Sequence, residues 1–254
     1  MERERVVFLD WLRVIACFMV MAIHAAENFY LGGEAPNITS IASRWDMLWI
    51  TLTECLCRVC VPLFVITSSY LLFPVRRPTG EFFRRRVVRV VAPFAVWAAA
   101  YVWAAGGAWG RLLFNFPDEG GPLWMVGVAI IGLPFFFYTD KFPFSAPYAH
   151  AVKMEMSIEY CSLGVALATI AAFMVLRKLD IGGTLHEKAV RPISEASYGM
   201  YLLHMFILAP VSAMLIPRIS TPLAILATAV VSFAASAFAA LVLRRIPVVG
   251  KWIC

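Results

Sequence analysis

"FLDWLRVIACFMVMAIHAAENFY", residues Phe8 to Tyr30, is apolar over a length that crosses a bilayer, yet it holds Asp10, Arg13, His24 and Glu27. Ionisable side chains are costly in hydrocarbon, so within a span they face a bundle interior or water and mark function. An α-helix advances about 100° per residue, so positions eleven apart nearly coincide and positions fourteen apart fall about 40° short. Arg13 and His24 are eleven apart, while Asp10 to His24 and Arg13 to Glu27 are each fourteen. The four therefore share one sector, with Cys17 and Val20 between them, opposite a charge-free side of Leu12, Ile15, Phe18 and Ala22. The expectation is a polar stripe on a lipid-length helix, turned toward protein or water.

The rest of the chain agrees with a membrane setting. Of 254 residues, 61% are hydrophobic and 15% charged, with a mean hydropathy of +0.78; soluble domains run near ~45–50% and ~25%. The net charge of +6 sits in short clusters beside apolar runs, as positive-inside topology requires, and no soluble basic face exists for nucleic acid. Apolar segments fall at 8–29, 47–73, 88–109, 122–138, 155–176, 193–216 and 222–243. The predicted fold is an all-α, polytopic transmembrane helix bundle, one integral membrane domain over 1–254. It has six spans and a short seventh segment at 122–138 that either crosses or re-enters. The first span reads as uncleaved, since "HAAENFY" offers no small-x-small site and Asp10 stands where a signal's basic region belongs. Cys55, Cys57 and Cys60 suggest a metal run, but their neighbours Leu56, Val59 and Val61 offer no second shell of polar support. They read as small packing residues, and no metal is expected.

The loop "FPVRRPTGEFFRRRVVRVVAP" sets Arg76, Arg77, Arg84, Arg85, Arg86 and Arg89 against Glu81, which makes it cytoplasmic and puts the amino terminus inside. "RKLDIGGTLHEKAVR" (177–191) and the tail "LRRIPVVGKWIC" also belong inside by the same rule, so both termini are expected in the cytoplasm. Segment 122–138 then begins and ends on one face, which a single crossing cannot do. It is also short and holds Gly127, Gly132 and Pro134.

Several motifs carry a resemblance. "FLDWLRVIACFMVMAIH" places Arg13, ten residues, then His24; "CVPLFVITSSYLLFP" holds Ser68, Ser69 and Tyr70; "FFRRRVVRVVAPF" has Arg86 and Arg89 before Pro93; "ISEASYGMYLLHMF" has Tyr201 and His204; "GPLWM" holds Trp124. Taken in chain order they resemble the membrane acyltransferase-3 family, with serine at position 69 where the family pattern has glycine. The resemblance implies transfer of an acyl group, commonly acetyl from acetyl-coenzyme A, onto a hydroxyl of a cell-surface glycan at the inner membrane. On that reading His24 is the general base, since neutral imidazole suits proton removal from a hydroxyl. Glu27 orients it, Arg13 is its partner in the cavity, and Asp10 holds the guanidinium of Arg13. Arg86 and Arg89, with Arg85, are assigned to the donor's phosphates. Tyr201, His204 and Ser68 belong to the substrate cavity, with interhelical hydrogen bonding the plainer role for the first two and packing for Ser68.

The family core has more helices than this chain has spans, and the resemblance breaks between Trp124 and Phe142. The chain therefore reads as a shortened member that has lost an internal block, with reduced activity. Lipid or a second protomer is expected to cover the exposed side of the stripe, so a homodimer is an expectation. A transporter or flippase is the alternative class, since intramembrane charges suit it equally, though no paired inverted repeat is visible.

Overall fold

The computed structural model describes residues 6–29, 44–72, 78–104, 163–179 and 181–246, which are helices joined by turns. The elements are α1 (Val7–Glu27), α2 (Arg44–Cys57), α3 (Cys60–Leu72), α4 (Thr79–Arg86), α5 (Ala92–Ala104), α6 (Leu163–Leu176), α7 (Arg191–Leu215) and α8 (Thr221–Arg244). The protein is an all-helical transmembrane bundle. Five stretches are long and apolar enough to cross a membrane: Val7–Glu27, Leu48–Leu71, Gly80–Ala104, His186–Leu215 and Thr221–Arg244. The sixth expected span, 155–176, is described from Leu163 onward as the shorter α6. Segment 122–138 and Trp124 lie outside the described residues.

The chain divides into two compact units, Met1–Arg76 with Ser145–Val242, and Arg77–Phe144 with Leu243–Cys254. In the first unit α1 packs against α2, α3 and α7. Near its carboxyl end, Ala22, Ala25, Ala26 and Phe29 meet Ile50 of α2 and Ala224, Ile225 and Ala229 of α8. Small side chains let backbones approach closely where lipid supplies no hydrophobic drive for association. Toward its amino end, Leu12 and Ala16 pack on Val59, Leu63, Ala172, Phe173 and Leu176, and the Phe8 ring sets its edge on Tyr70 and Phe173 at 5.7 and 6.1 Å. The charge-free side of α1 is as deeply buried as the striped side: Leu12 is 0% exposed and Ala22 6%, against 0% for Cys17 and 3% for Val20. Helix α1 is the hub of its unit.

These contacts fix which helix ends lie together. The amino end of α1 shares a level with the carboxyl ends of α3 and α6. Trp11 Nε1 also donates to the Ile181 carbonyl at 3.0 Å, which brings the 177–191 connector to the same level. The carboxyl end of α1 meets the start of α8. Large apolar residues face outward, among them Leu167, Ile170 and Val175 of α6 and Leu223, Leu226 and Phe238 of α8, while Thr228, Ser232 and Ser236 of α8 are buried. Polar residues turned in and large apolar ones turned out are what lipid solvation selects.

Prolines set the irregularities. Pro62 has no amide hydrogen and its ring crowds the carbonyl of Arg58, so the span 48–71 breaks between α2 and α3 at Arg58–Val59. Helical bonds persist on both sides, Arg58 N–H to Glu54 at 2.9 Å and Leu63 N–H to Val59 at 2.9 Å. In the second unit, π-helical turn Val87–Val91 joins α4 to α5 just before Pro93. In the first, π-helical turn His186–Val190 enters α7 just before Pro192. In each case the carbonyl four residues before the proline, Arg89 or Lys188, lies inside the widened turn.

Candidate active site

Helix α1 ends in a cluster of ionisable groups. His24 Nδ1 lies 2.5 Å from Glu27 Oε2, one helical turn away. Because an ionised carboxylate only accepts, Nδ1 carries the hydrogen and Nε2 keeps the lone pair. Glu27 Oε1 lies 3.6 Å from Arg58, whose other guanidinium nitrogen is 3.0 Å from Glu54. Glu54 is 0% exposed and Arg58 7%. The break at Arg58–Val59 puts the arginine at the bend of the α2–α3 span, where it reaches α1. With two carboxylates, one guanidinium and a neutral imidazole, the cluster carries one formal negative charge. A proton taken up by His24 makes it neutral. The His24 side chain keeps 32% of its surface accessible, against 18% for Glu27.

Helix α7 brings His204 against this base. The two imidazoles stack with centroids 5.2 Å apart and planes at 29°. Tyr201, one turn before His204, tilts over the Phe64 ring of α3 at 6.3 Å. Asn28 ties the corner together, donating to the His24 carbonyl at 2.6 Å and to Ser212 Oγ of α7 at 3.0 Å. The interhelical hydrogen bond expected of His204 takes another form. Its Nδ1 lies 2.5 Å from the Tyr201 carbonyl of its own helix, and it reaches α1 through its ring face.

A second polar centre sits at the other end of α1. Asp10 is 5% exposed; it accepts from Ser194 Oγ at 2.7 Å and from His186 Nε2 at 3.0 Å. The sequence reading gave Asp10 to Arg13 and did not foresee these partners on the α7 side. His186, at 2% exposed, also has Nδ1 3.3 Å from Glu187, and Glu187 continues to Arg191 at 2.7 Å and Arg191 to Glu195 at 3.3 Å. With the Trp11 bond to Ile181, this centre clasps the connector and the start of α7 to α1.

The other candidates fall as follows. Arg13 is half-buried on α1, ~16 Å along the axis from His24 at 1.5 Å per residue. Ser68 is half-buried on α3, and among the described residues no hydrogen bond joins it to a histidine. In the second unit Arg85 pairs with Glu81 at 2.7 Å, half-exposed, and Arg89 is exposed on the π turn. The side chain of Arg86 lies outside the described residues.

Glu54 and Arg58 were missed although "LTECLCRVC" displays them at i, i+4 inside an apolar run. Cys55, Cys57 and Cys60 occupy the same run. Of those, Cys60 is buried between helices and Cys55 is exposed.

The family model described as an acyltransferase domain matches residues 6–103 and 99–241, two matches that share 99–103. The second runs through 124–142, where the resemblance of motifs fades. No curated protein matches the chain, and no solved structure does.

Proposed function

The chain belongs to the acyltransferase-3 family and is a membrane acyltransferase, and from that premise we propose that it moves an acetyl group from acetyl-coenzyme A to a hydroxyl of a cell-surface glycan. The observation that carries this reading is the His24–Glu27 pair, at 2.5 Å, backed by buried Arg58 and Glu54. His24 Nε2 takes the hydroxyl proton as the oxygen forms its bond to the acyl carbon. The carbon–sulfur bond then breaks, and the leaving thiolate takes the proton back from the imidazolium. Glu27 holds the ring in the tautomer this needs, as the carboxylate of a catalytic triad does. Arg58 and Glu54 hold Glu27. The distance between Arg13 and His24, ~16 Å along α1, suits an extended pantetheine arm, with Arg13 and, on α3, Ser68 toward the donor end of the cavity and Tyr201 and His204 toward the acceptor. Arg85, Arg86 and Arg89 supply cations for the donor's phosphates. The proposal places the chain in the inner membrane, amino and carboxyl termini in the cytoplasm, with lipid or a second protomer covering the open side of α1.

Membranes holding the chain, incubated with radiolabelled acetyl-coenzyme A, are expected to move label into the glycan fraction. His24→Ala should cut that transfer by about 10²–10⁴-fold, the range general-base catalysis contributes. Label transfer undiminished in His24→Ala removes the base assignment. A chain that moves glycan across vesicles without acylating it is a transporter instead.

A further inference from the structure

Resting on the acyl-transfer reading above, we propose that His204 binds the acceptor, its Nε2 accepting a hydrogen bond from a glycan hydroxyl next to the one that reacts at His24. Three observations carry this. His204 is 4% exposed, and among the described residues its Nε2 is buried with no hydrogen-bond partner. Its Nδ1 lies 2.5 Å from the Tyr201 carbonyl. A carbonyl only accepts, so Nδ1 holds the hydrogen and Nε2 of the neutral ring is a lone pair. Finally, the ring stacks on His24 at 5.2 Å, so this unused acceptor stands beside the proposed base.

A buried acceptor without a donor is a cost that folding avoids unless something brings the donor. The corner is rich in acceptors: two imidazole lone pairs and the carboxylates of Glu27 and Glu54, against the guanidinium of Arg58. Its complement is a neutral ligand with several O–H groups, which describes a sugar. A cationic donor suits it poorly, because His24 becomes cationic during transfer and lies one ring-stack away. The carbonyl that holds Nδ1 belongs to helix α7 and can accept its ordinary helical bond as well, so the ring contributes little to the backbone that leucine would not replace.

The first test needs no acyl donor and so stands apart from the proposed reaction. The full chain, labelled with ¹⁵N-histidine in detergent, is titrated with methyl β-D-glucopyranoside. The signal lost in His204→Gln identifies His204. That signal should move saturably toward the hydrogen-bonded Nε2 position, and should not move with the fully O-methylated glucoside, which has no O–H to give. No shift at saturation, an equal shift with the O-methylated probe, or an Nε2 already hydrogen-bonded to water without probe overturns the proposal. The second test is kinetic. His204→Leu should raise KM for the glucoside about threefold to tenfold, one neutral hydrogen bond's worth, and His204→Gln, which keeps an acceptor, should recover part of it. His204→Leu should also melt no lower than the unmodified chain, since it removes an unsatisfied buried group. A lower melting point with unchanged KM makes His204 structural and refutes the assignment.

Discussion

The stripe on α1 was readable because helical periodicity puts residues eleven and fourteen apart in one direction, and the structure keeps that periodicity through Glu27. His24, Glu27 and His204 gather at one corner. Asp10 was harder, since its partners Ser194 and His186 lie 184 and 176 residues away in sequence. Local spacing has no means of finding them. Two predictions belong to single residues. Glu27→Gln keeps the shape but loses the carboxylate that fixes the His24 tautomer, so kcat should fall by about 10²-fold or more, with glycan KM little changed in steady-state assays. Arg58→Met removes the guanidinium 3.0 Å from Glu54, which is 0% exposed, and should cost about 3–5 kcal/mol in detergent unfolding followed by circular dichroism. Arg58→Met with Glu54→Leu removes both charges and should recover most of that loss. If the double variant is no better than the single one, Glu54 is not held by Arg58.

Helices were the legible elements, and their breaks were legible only as prolines whose consequences depend on the carbonyl behind them. Pro93 and Pro192 each follow a π turn, while Pro62 produces a bend with helical bonds continuing either side. A straight helix over 47–73 gives no reason for Arg58 to reach α1. Pro62→Ala restores the missing N–H and relieves the Arg58 carbonyl. Straightening the span should stabilise it in the membrane while drawing Arg58 away from Glu27. Misplacement on the order of 1 Å at a catalytic group costs about 10² in rate, so acyl transfer should fall by roughly that factor as the unfolding midpoint rises. A variant that loses stability and keeps its rate would show that the bend is not what positions Arg58.

At the scale of the molecule, the first unit bears on a question that charge counting leaves open. The carboxyl end of α3 and the 177–191 connector share a level with the amino end of α1, and α6 runs down to that level. The chain between α3 and α6 therefore makes an odd number of crossings. Gly80–Ala104 is long and apolar enough to supply one, and segment 122–138 lies outside the described residues. Cysteines placed at 182 and 188 should react with an impermeant maleimide only from the face that labels residues before α1; labelling from the opposite face would restore seven crossings. The charge conflict over 122–138 is what the positive-inside rule leaves when a family member loses an internal block whose two flanks lay on one side. The two matches to the acyltransferase model, 6–103 and 99–241, meet some twenty residues before the Trp124–Phe142 stretch. The helices such a block would supply are ones that could enclose His24, whose side chain stays 32% accessible. Open to water or lipid, the base loses the low-dielectric enclosure that gives preorganised charges their catalytic worth. We therefore expect the purified 254-residue chain to transfer acetyl groups well below the rate of a full-length relative measured beside it, with the deficit in kcat. Grafting the relative's internal block between residues 104 and 122 should raise kcat and shield His24 from diethylpyrocarbonate. Equal rates without the graft would show that the chain, alone or as a dimer, already encloses its site.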